Sequence, residues 1–243
     1  MTSIEFSGCL DSDILFNPPV WNDLAETQRR LFNPQALINI SDRIRAEFYN
    51  GHAIGRDMPV IAPEDWATTL LKPYANGTIG YDLPCLLSAD RPARGRIMMC
   101  AQDPLRKPGE AKLTVGTFFG IDSDYLRTRR HYWMIWQLIR KCIFAGYDVW
   151  VTDAIKVFAG PNVLRKNTSL RELCYSVILE EVDSFRPDKI LTFGKEARLA
   201  MEKAGVATEI TSVAHPTARG MKGPFKDRIS LYYQAMFGAE TAF

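Results

Sequence analysis

The sequence predicts an α/β protein, a three-layer α/β/α sandwich around a central, mostly parallel four-stranded sheet, with an N-terminal helical region over residues 1–94. Three observations predict it. Beyond Gly95, short runs rich in β-branched and apolar residues alternate with amphipathic stretches, the pattern of strands joined by helical crossovers. Before Gly95 the apolar spacing is helical rather than alternating. A chain of 243 residues, 47% apolar and 24% charged, can bury one full core. Residues 95–243 are therefore expected to form the α/β domain, and residues 1–94 an extension packed on it as one compact unit.

In chain order, Leu37, Ile40, Ile44 and Phe48 recur at helical spacing, and Pro63-Glu64-Asp65 opens a second helix toward Leu71. Asn76-Gly77 and Gly80 punctuate a loop. The four strands are expected at Arg96–Ala101, Asp148–Thr152, Lys189–Phe193 and Glu209–Val213. Between them, Tyr132, Ile135, Trp136, Ile139 and Ile143 form one helical stripe, and Leu170, Leu173, Val177, Val182 and Phe185 another; their aromatics are read as core.

Composition narrows the class. Met1 to Leu10 lacks the basic start and apolar run of a secretory signal, and no uncharged apolar stretch nears the about 20 residues of a membrane span, so a soluble, cytoplasmic protein without membrane partners is expected. The five cysteines, Cys9, Cys85, Cys100, Cys142 and Cys174, are widely spaced with no C-x-x-C pair, which argues for reduced thiols and offers no zinc or iron–sulfur spacing. Cys100, Cys142 and Cys174 fall on apolar faces. Net charge is only +2, but basic residues cluster at Arg127, Arg129 and Arg130, at Arg165 and Lys166, and at Arg219, Lys222, Lys226 and Arg228. Each cluster alone reads as a solvated face.

In an open parallel sheet, ligands bind outside the carboxyl ends of the strands. Here those ends deliver Gln102-Asp103-Pro104, then Asp153, then Gly194, then His215-Pro216-Thr217. One acid, a second acid and one imidazole would converge on one edge.

Those residues carry a resemblance. The segment Ala101-Gln102-Asp103-Pro104-Leu105-Arg106-Lys107-Pro108-Gly109-Glu110-Ala111 resembles the first motif of uracil-DNA glycosylases, G-Q-D-P-Y-H-x-P-G-Q-A, with six identical positions. His215-Pro216-Thr217 with Arg219-Gly220 resembles the second, H-P-S-P followed by R-G, and Val151-Thr152-Asp153-Ala154 resembles the strand ending in L-N-A. The three strings keep the family's order and span Arg96 to Gly220. The resemblance implies a divergent member of that superfamily, a monomer acting on a flipped nucleotide of DNA without metal or cofactor.

It also implies roles. Cleaving an N-glycosidic bond builds positive charge on the sugar and negative charge on the departing base. Asp103 would orient or deprotonate the water and stabilise the sugar cation, and His215 would hydrogen-bond O2 of the base. Gln102 adds contacts in the same loop. No lysine nucleophile occupies the reacting position, so hydrolysis is expected rather than a lyase reaction.

The departures from the family pattern bear on the substrate. The family's base reader is an asparagine, here Asp153; its tyrosine against C5 of the base is here Leu105. An ionised Asp153 only accepts hydrogen bonds, which suits the N4 amino group of cytosine and repels O4 of uracil. A smaller Leu105 leaves space at C5. Together they favour a C5-modified cytosine, as in modified bacteriophage DNA, and a role in antiviral defence. A protonated Asp153 would instead donate to O4 and fit uracil or another deaminated base, with a role in base-excision repair.

Arg219, Lys222 and Lys226 are placed to hold phosphates that offset the energy of flipping. Met221 is the candidate wedge or an inward-packed side chain, and Phe119, or its neighbour Phe118, would stack on the base. Two other classes remain open: a catalytically silent DNA-binding relative, and an unrelated nucleotide-binding α/β protein. The second lacks G-x-x-x-x-G-K-[ST] or G-x-G-x-x-G after any strand.

Overall fold

A computed structural model describes residues 14–16, 28–50, 60–61, 71–74, 76–106, 113–160, 162–218 and 223–238. The main sheet has six strands in the order β1 (Ile14–Phe16), β4 (Cys85–Ala89), β7 (Tyr147–Asp153), β5 (Gly95–Ala101), β8 (Lys189–Phe193), β9 (Ile210–Val213). The four strands from β7 to β9 are mutually parallel; β4 runs antiparallel to β7, and β1, antiparallel to β4, points the same way as the four. A second sheet places β6 (Leu113–Thr117) between β2 (Val60–Ile61) and β3 (Ile79–Leu83).

The four expected strands are present within a residue or so of their anticipated ends, and three of them rest on unbroken apolar runs, whereas β9 at the sheet edge is only partly buried. Ile97 to Cys100 in β5, Val149 to Val151 in β7 and Ile190 to Phe193 in β8 are buried residue after residue, as strands covered on both faces require. The expected helical stripes lie on α3 (Arg130–Phe144) and α5 (Thr168–Phe185), which pack against α7 (Phe225–Phe237) and α6 (Lys195–Ala204) respectively. Among the described residues the remaining α-helices are α1 (Pro34–Asn50) and two single turns, α2 (Asp124–Arg127) and α4 (Val163–Lys166).

Two expectations are corrected. The sheet has six strands rather than four, and the region before residue 95 is not all helical. It holds α1, where the Leu37-to-Phe48 stripe falls, but also β1 and β4 in the main sheet and β2 and β3 in the second. The reason is context: β1 and β2 are only three and two residues long, and β3 and β4 follow one another without the crossover helices that mark the later strands, so neither pair sets the alternating pattern. The helix expected from Pro63, and Cys9, lie outside the described residues. Cys85, Cys100, Cys142 and Cys174 are buried and unpaired.

Arg127, grouped with Arg129 and Arg130 as a basic surface cluster, is instead buried. It donates to the Ile121 carbonyl and lies 5.3 Å from the Trp136 ring. A fully buried ionic network anchors the C-terminal end of β7, the end that carries Asp153. Glu181 on α5 accepts from Lys156 at 2.7 Å, Gln28 at 2.6 Å, Thr152 at 2.8 Å and Trp150 at 3.3 Å. The carboxylate is thus surrounded by donors, which offsets the desolvation of the pair.

Candidate active site

The acid comes first. Strand β5 ends at Ala101, and the chain turns at once, with Leu105 N–H donating to the Asp103 carbonyl at 2.9 Å. Strand β7 runs alongside, pairing Asp153 with Ala101, and the backbone N–H groups of Ala154 and Ile155 continue the contact to Ala101 and Gln102. The sheet ladder therefore brings Asp103 and Asp153 to neighbouring strand ends. The Gln102 side chain donates to Asp103 at 3.1 Å.

Burial raises the Asp103 carboxyl above the usual carboxylate range; the Gln102 bond opposes this, Asp82 adds to it, and Arg106 opposes it. Asp153 is only 4% exposed. Burial pushes its carboxyl well up, Asp82 and Asp103 push it further, and Lys156 and Arg106 pull the other way. A group so placed holds its proton more readily than an ordinary aspartate.

Asp82 and Arg106 carried no role in the sequence reading. Arg106 stands where the resembling motif has a histidine, and Asp82 lies on a strand that periodicity did not reveal. The Arg106 guanidinium meets the Asp82 carboxylate at 2.5 Å, with side chains 9% and 13% exposed. Leu105, expected beside C5 of a base, is 73% exposed.

The imidazole arrives from the other side of β8. His215 follows β9, and its Nδ1 accepts from the Thr217 N–H at 3.2 Å and lies 2.8 Å from the Thr217 hydroxyl. A backbone N–H can only donate, so Nδ1 is the acceptor and Nε2 carries the hydrogen. Burial lowers the pKa of this ring, which favours the neutral form with an Nε2–H donor. Tyr232 and Arg228 of α7 hold the loop by donating to the Ala214 and Pro216 carbonyls. Arg228, read as part of a basic cluster, is thereby turned inward.

Phe118 is fully buried, whereas Phe119 lies on His215 with ring centroids 5.7 Å apart and planes 27° apart. Phe119 adopts a left-handed conformation, φ 49°, ψ 25°, which is strained for an aromatic residue. Its turn is closed by Thr117, whose hydroxyl donates to the Asp122 carboxylate and accepts from the Asp122 N–H at 3.3 Å. His131, at the start of α3, sits at the edge of Phe119 with centroids 6.3 Å apart, and burial followed by the nearby His215 lowers its pKa. The sequence reading missed it; a lone histidine after two arginines was its only signal.

Two groups thus form at one sheet edge: Gln102, Asp103 and Asp153 on β5 and β7, and Phe119 with His215 beyond β8. With strands about 4.8 Å apart, the ends of β5 and β9 stand about 10 Å apart. A cleft of about 610 Å³ opens on Gln102 and Asp103 and is walled by Phe158, Arg171, Tyr175 and Glu196 among others. Asp153, Phe119 and His215 do not line that cleft. Lys226 is exposed on the first turn of α7, and Arg219, Met221 and Lys222 lie outside the described residues.

No protein-family model matches the chain, and a search of curated proteins finds no match. The motif resemblance therefore rests on the residues themselves. No helix among the described residues is long and apolar enough to cross a membrane.

Proposed function

We propose that the protein is a monofunctional DNA glycosylase of the uracil-DNA glycosylase superfamily, hydrolysing the N-glycosidic bond of a flipped, modified pyrimidine. The observation that carries this reading is that two parallel strands of one sheet, β5 and β9, run into a carboxyl, Asp103, and an imidazole, His215, whose Nδ1 is occupied and whose Nε2–H is left as the donor. The topology supports it too. Crossovers of the usual right hand would put α5 and α6, which pack together, on one face of the parallel strands and α3 with α7, which also pack together, on the other, the three-layer arrangement that the proposed family implies.

In the proposed reaction the flipped nucleotide lies between the two strand ends. Asp103, ionised, takes a proton from water as its oxygen bonds to C1′, and the C1′–N1 bond breaks. The base leaves with the electron pair, and Nε2–H of His215 hydrogen-bonds its O2 as negative charge grows there. Phe119, already stacked on His215, offers a ring face to the base. Lys226 and the basic residues Arg219 and Lys222 are assigned to backbone phosphates.

We propose a C5-modified cytosine as the base and defence against modified phage DNA as the role. Leu105, which stands where the resembling motif has its C5-facing tyrosine, is smaller and exposed, which supports room for a C5 group. A second reading, uracil or another deaminated base, is favoured by the raised pKa of Asp153. As a neutral acid, Asp153 both donates and accepts, so it can meet O4 and N3–H of uracil as well as N3 and N4–H of cytosine.

The test is a panel of single- and double-stranded oligonucleotides, each with one uracil, cytosine or C5-modified cytosine, followed by alkaline cleavage at abasic sites. Cleavage at modified cytosine alone supports the first reading, and cleavage at uracil alone replaces it with the second. Binding without cleavage, unchanged in Asp103→Asn, would point to a silent DNA-binding relative.

A further inference from the structure

We propose that Arg106 is a positioning residue that seats the Asp103 carboxylate, with Asp82 as its fixed counter-ion, so that the second sheet acts as the brace of the candidate catalytic loop. The proposal rests on the glycosylase reading of Asp103 and deepens it.

Among the described residues the Asp103 carboxylate has one side-chain donor, Gln102, which is itself exposed. Its orientation must therefore come from the backbone that carries it. That backbone is gripped by Arg106. The guanidinium donates through Nη1 to the Pro104 carbonyl at 3.0 Å, one residue beyond Asp103, and more weakly to Leu105 at 3.4 Å. Nε donates to the Thr114 hydroxyl at 2.8 Å, and Nη2 to the Tyr81 carbonyl at 3.0 Å and the Asp82 carboxylate at 2.5 Å. One planar group thus ties the loop after β5 to β3 and β6. A lysine, with a single terminal nitrogen, could not reach these directions together.

The approach is close enough to dictate a residue on β3. A Cβ at Gly80 would stand 2.5 Å from Arg106 Cγ and 2.6 Å from the Pro104 carbonyl oxygen. Gly80 also exchanges both backbone hydrogen bonds with Phe158, at 2.8 and 2.9 Å, which ties the loop after β7 to the same strand. An ion pair this enclosed contributes more to geometry than to net stability.

The clamp also sets charge. Asp103 faces Asp82 from β3, Arg106 and Gln102 from its own loop, and Asp153 from β7; Asp153 in turn faces Lys156. Removing the negative member and removing the positive member must therefore move Asp103 in opposite directions. A purely structural brace would not produce that antisymmetry.

The experiment compares full-length wild type with Asp82→Asn, Arg106→Gln and Arg106→Lys. The readouts are single-turnover rates against pH and steady-state kcat and KM, on whichever panel oligonucleotide the wild type cleaves, and carboxyl titration by ¹³C NMR with labelled aspartate. Asp82→Asn is expected to move the acid limb, and the Asp103 resonance midpoint, to lower pH, and Arg106→Gln to higher pH. Arg106→Lys, which keeps the charge and loses the fork, is expected to leave the limb in place while kcat falls about 100-fold with little change in KM, the scale of a misplacement near 1 Å.

Should Arg106→Gln fail to fold, Asp82→Asn and Arg106→Lys still separate charge from placement. Limbs that coincide with wild type, or that move the same way in both charge variants, overturn the proposal, as does a fully active Arg106→Lys. Opposite NMR displacements in a protein that cleaves no panel oligonucleotide would refute glycosylase action on uracil, cytosine and C5-modified cytosine while upholding the clamp on Asp103.

Discussion

Asp103 and His215 leave strands of one sheet, yet their surroundings differ in kind. On the acid side, polar groups distant in sequence converge: Asp82 and Arg106 form an enclosed ion pair, Asp153 lies beside it, and Lys156 with Glu181 forms a second pair below. On the imidazole side, ring faces dominate: Thr217, in the same loop, fixes Nδ1, while Phe119, also distant in sequence, stacks on the ring and His131 stands at the edge of Phe119. Hydrogen-bonded charges set direction and protonation, whereas stacked rings set a plane and tolerate sliding. The acid half is thus built for a fixed vector, and the imidazole half for a flat guest.

The largest expected break of this contrast is at the acid itself. Asp103→Asn should lower kcat about 10²- to 10⁴-fold, the range for a general base, with DNA binding retained in a gel-shift assay. At the imidazole, His215→Ala should cost about 10²- to 10³-fold in kcat, the effect of losing one donor to a developing oxyanion. Wild-type rates in both variants would remove either residue from the chemistry.

A third change separates stability from activity. Lys156→Met leaves Glu181 buried without its cation and should destabilise the fold by about 3–5 kcal/mol in urea unfolding. Phe119→Ala removes the stacked ring yet keeps the strained turn, so KM should rise several-fold with the melting temperature nearly unchanged.

The smallest effect sharpens the protonation contrast. Burial raises Asp153, Asp103, Asp82 and Asp122, so the folded chain holds protons that the unfolded chain has already lost. Stability from these groups is therefore highest below the ordinary carboxylate pKa and falls as pH rises through the raised values. Asp153→Asn should raise the melting temperature at neutral pH and flatten that fall. His131 and His215, lowered by burial, act oppositely, removing stability as pH drops below the ordinary value of 6.5.

The parallel strands and the α3 and α5 stripes were legible because each is a local pattern, an apolar run or a 3.6-residue period, that burial on both faces imposes on the chain. The strand ends made Asp103, Asp153 and His215 candidates for the same reason. What sequence could not give was pairing at a distance. Asp82 stands 24 positions from Arg106, and β4 meets β7 across some sixty residues, so neither leaves a periodic trace. Arg127 and Arg228 misled in the same way: a run of basic residues does not say which of them turns inward to find a carbonyl.

The bond from Gln28 to Glu181, joining residues 153 positions apart, bears on how this chain can be shortened. A fragment beginning at residue 95 would discard that amide and strip β4 from β7, leaving a row of bare peptide groups and a half-solvated acid beneath the loop that bears Lys156. Any trimmed version intended for engineering has to retain the early segments, however remote from the reacting atoms they look on paper.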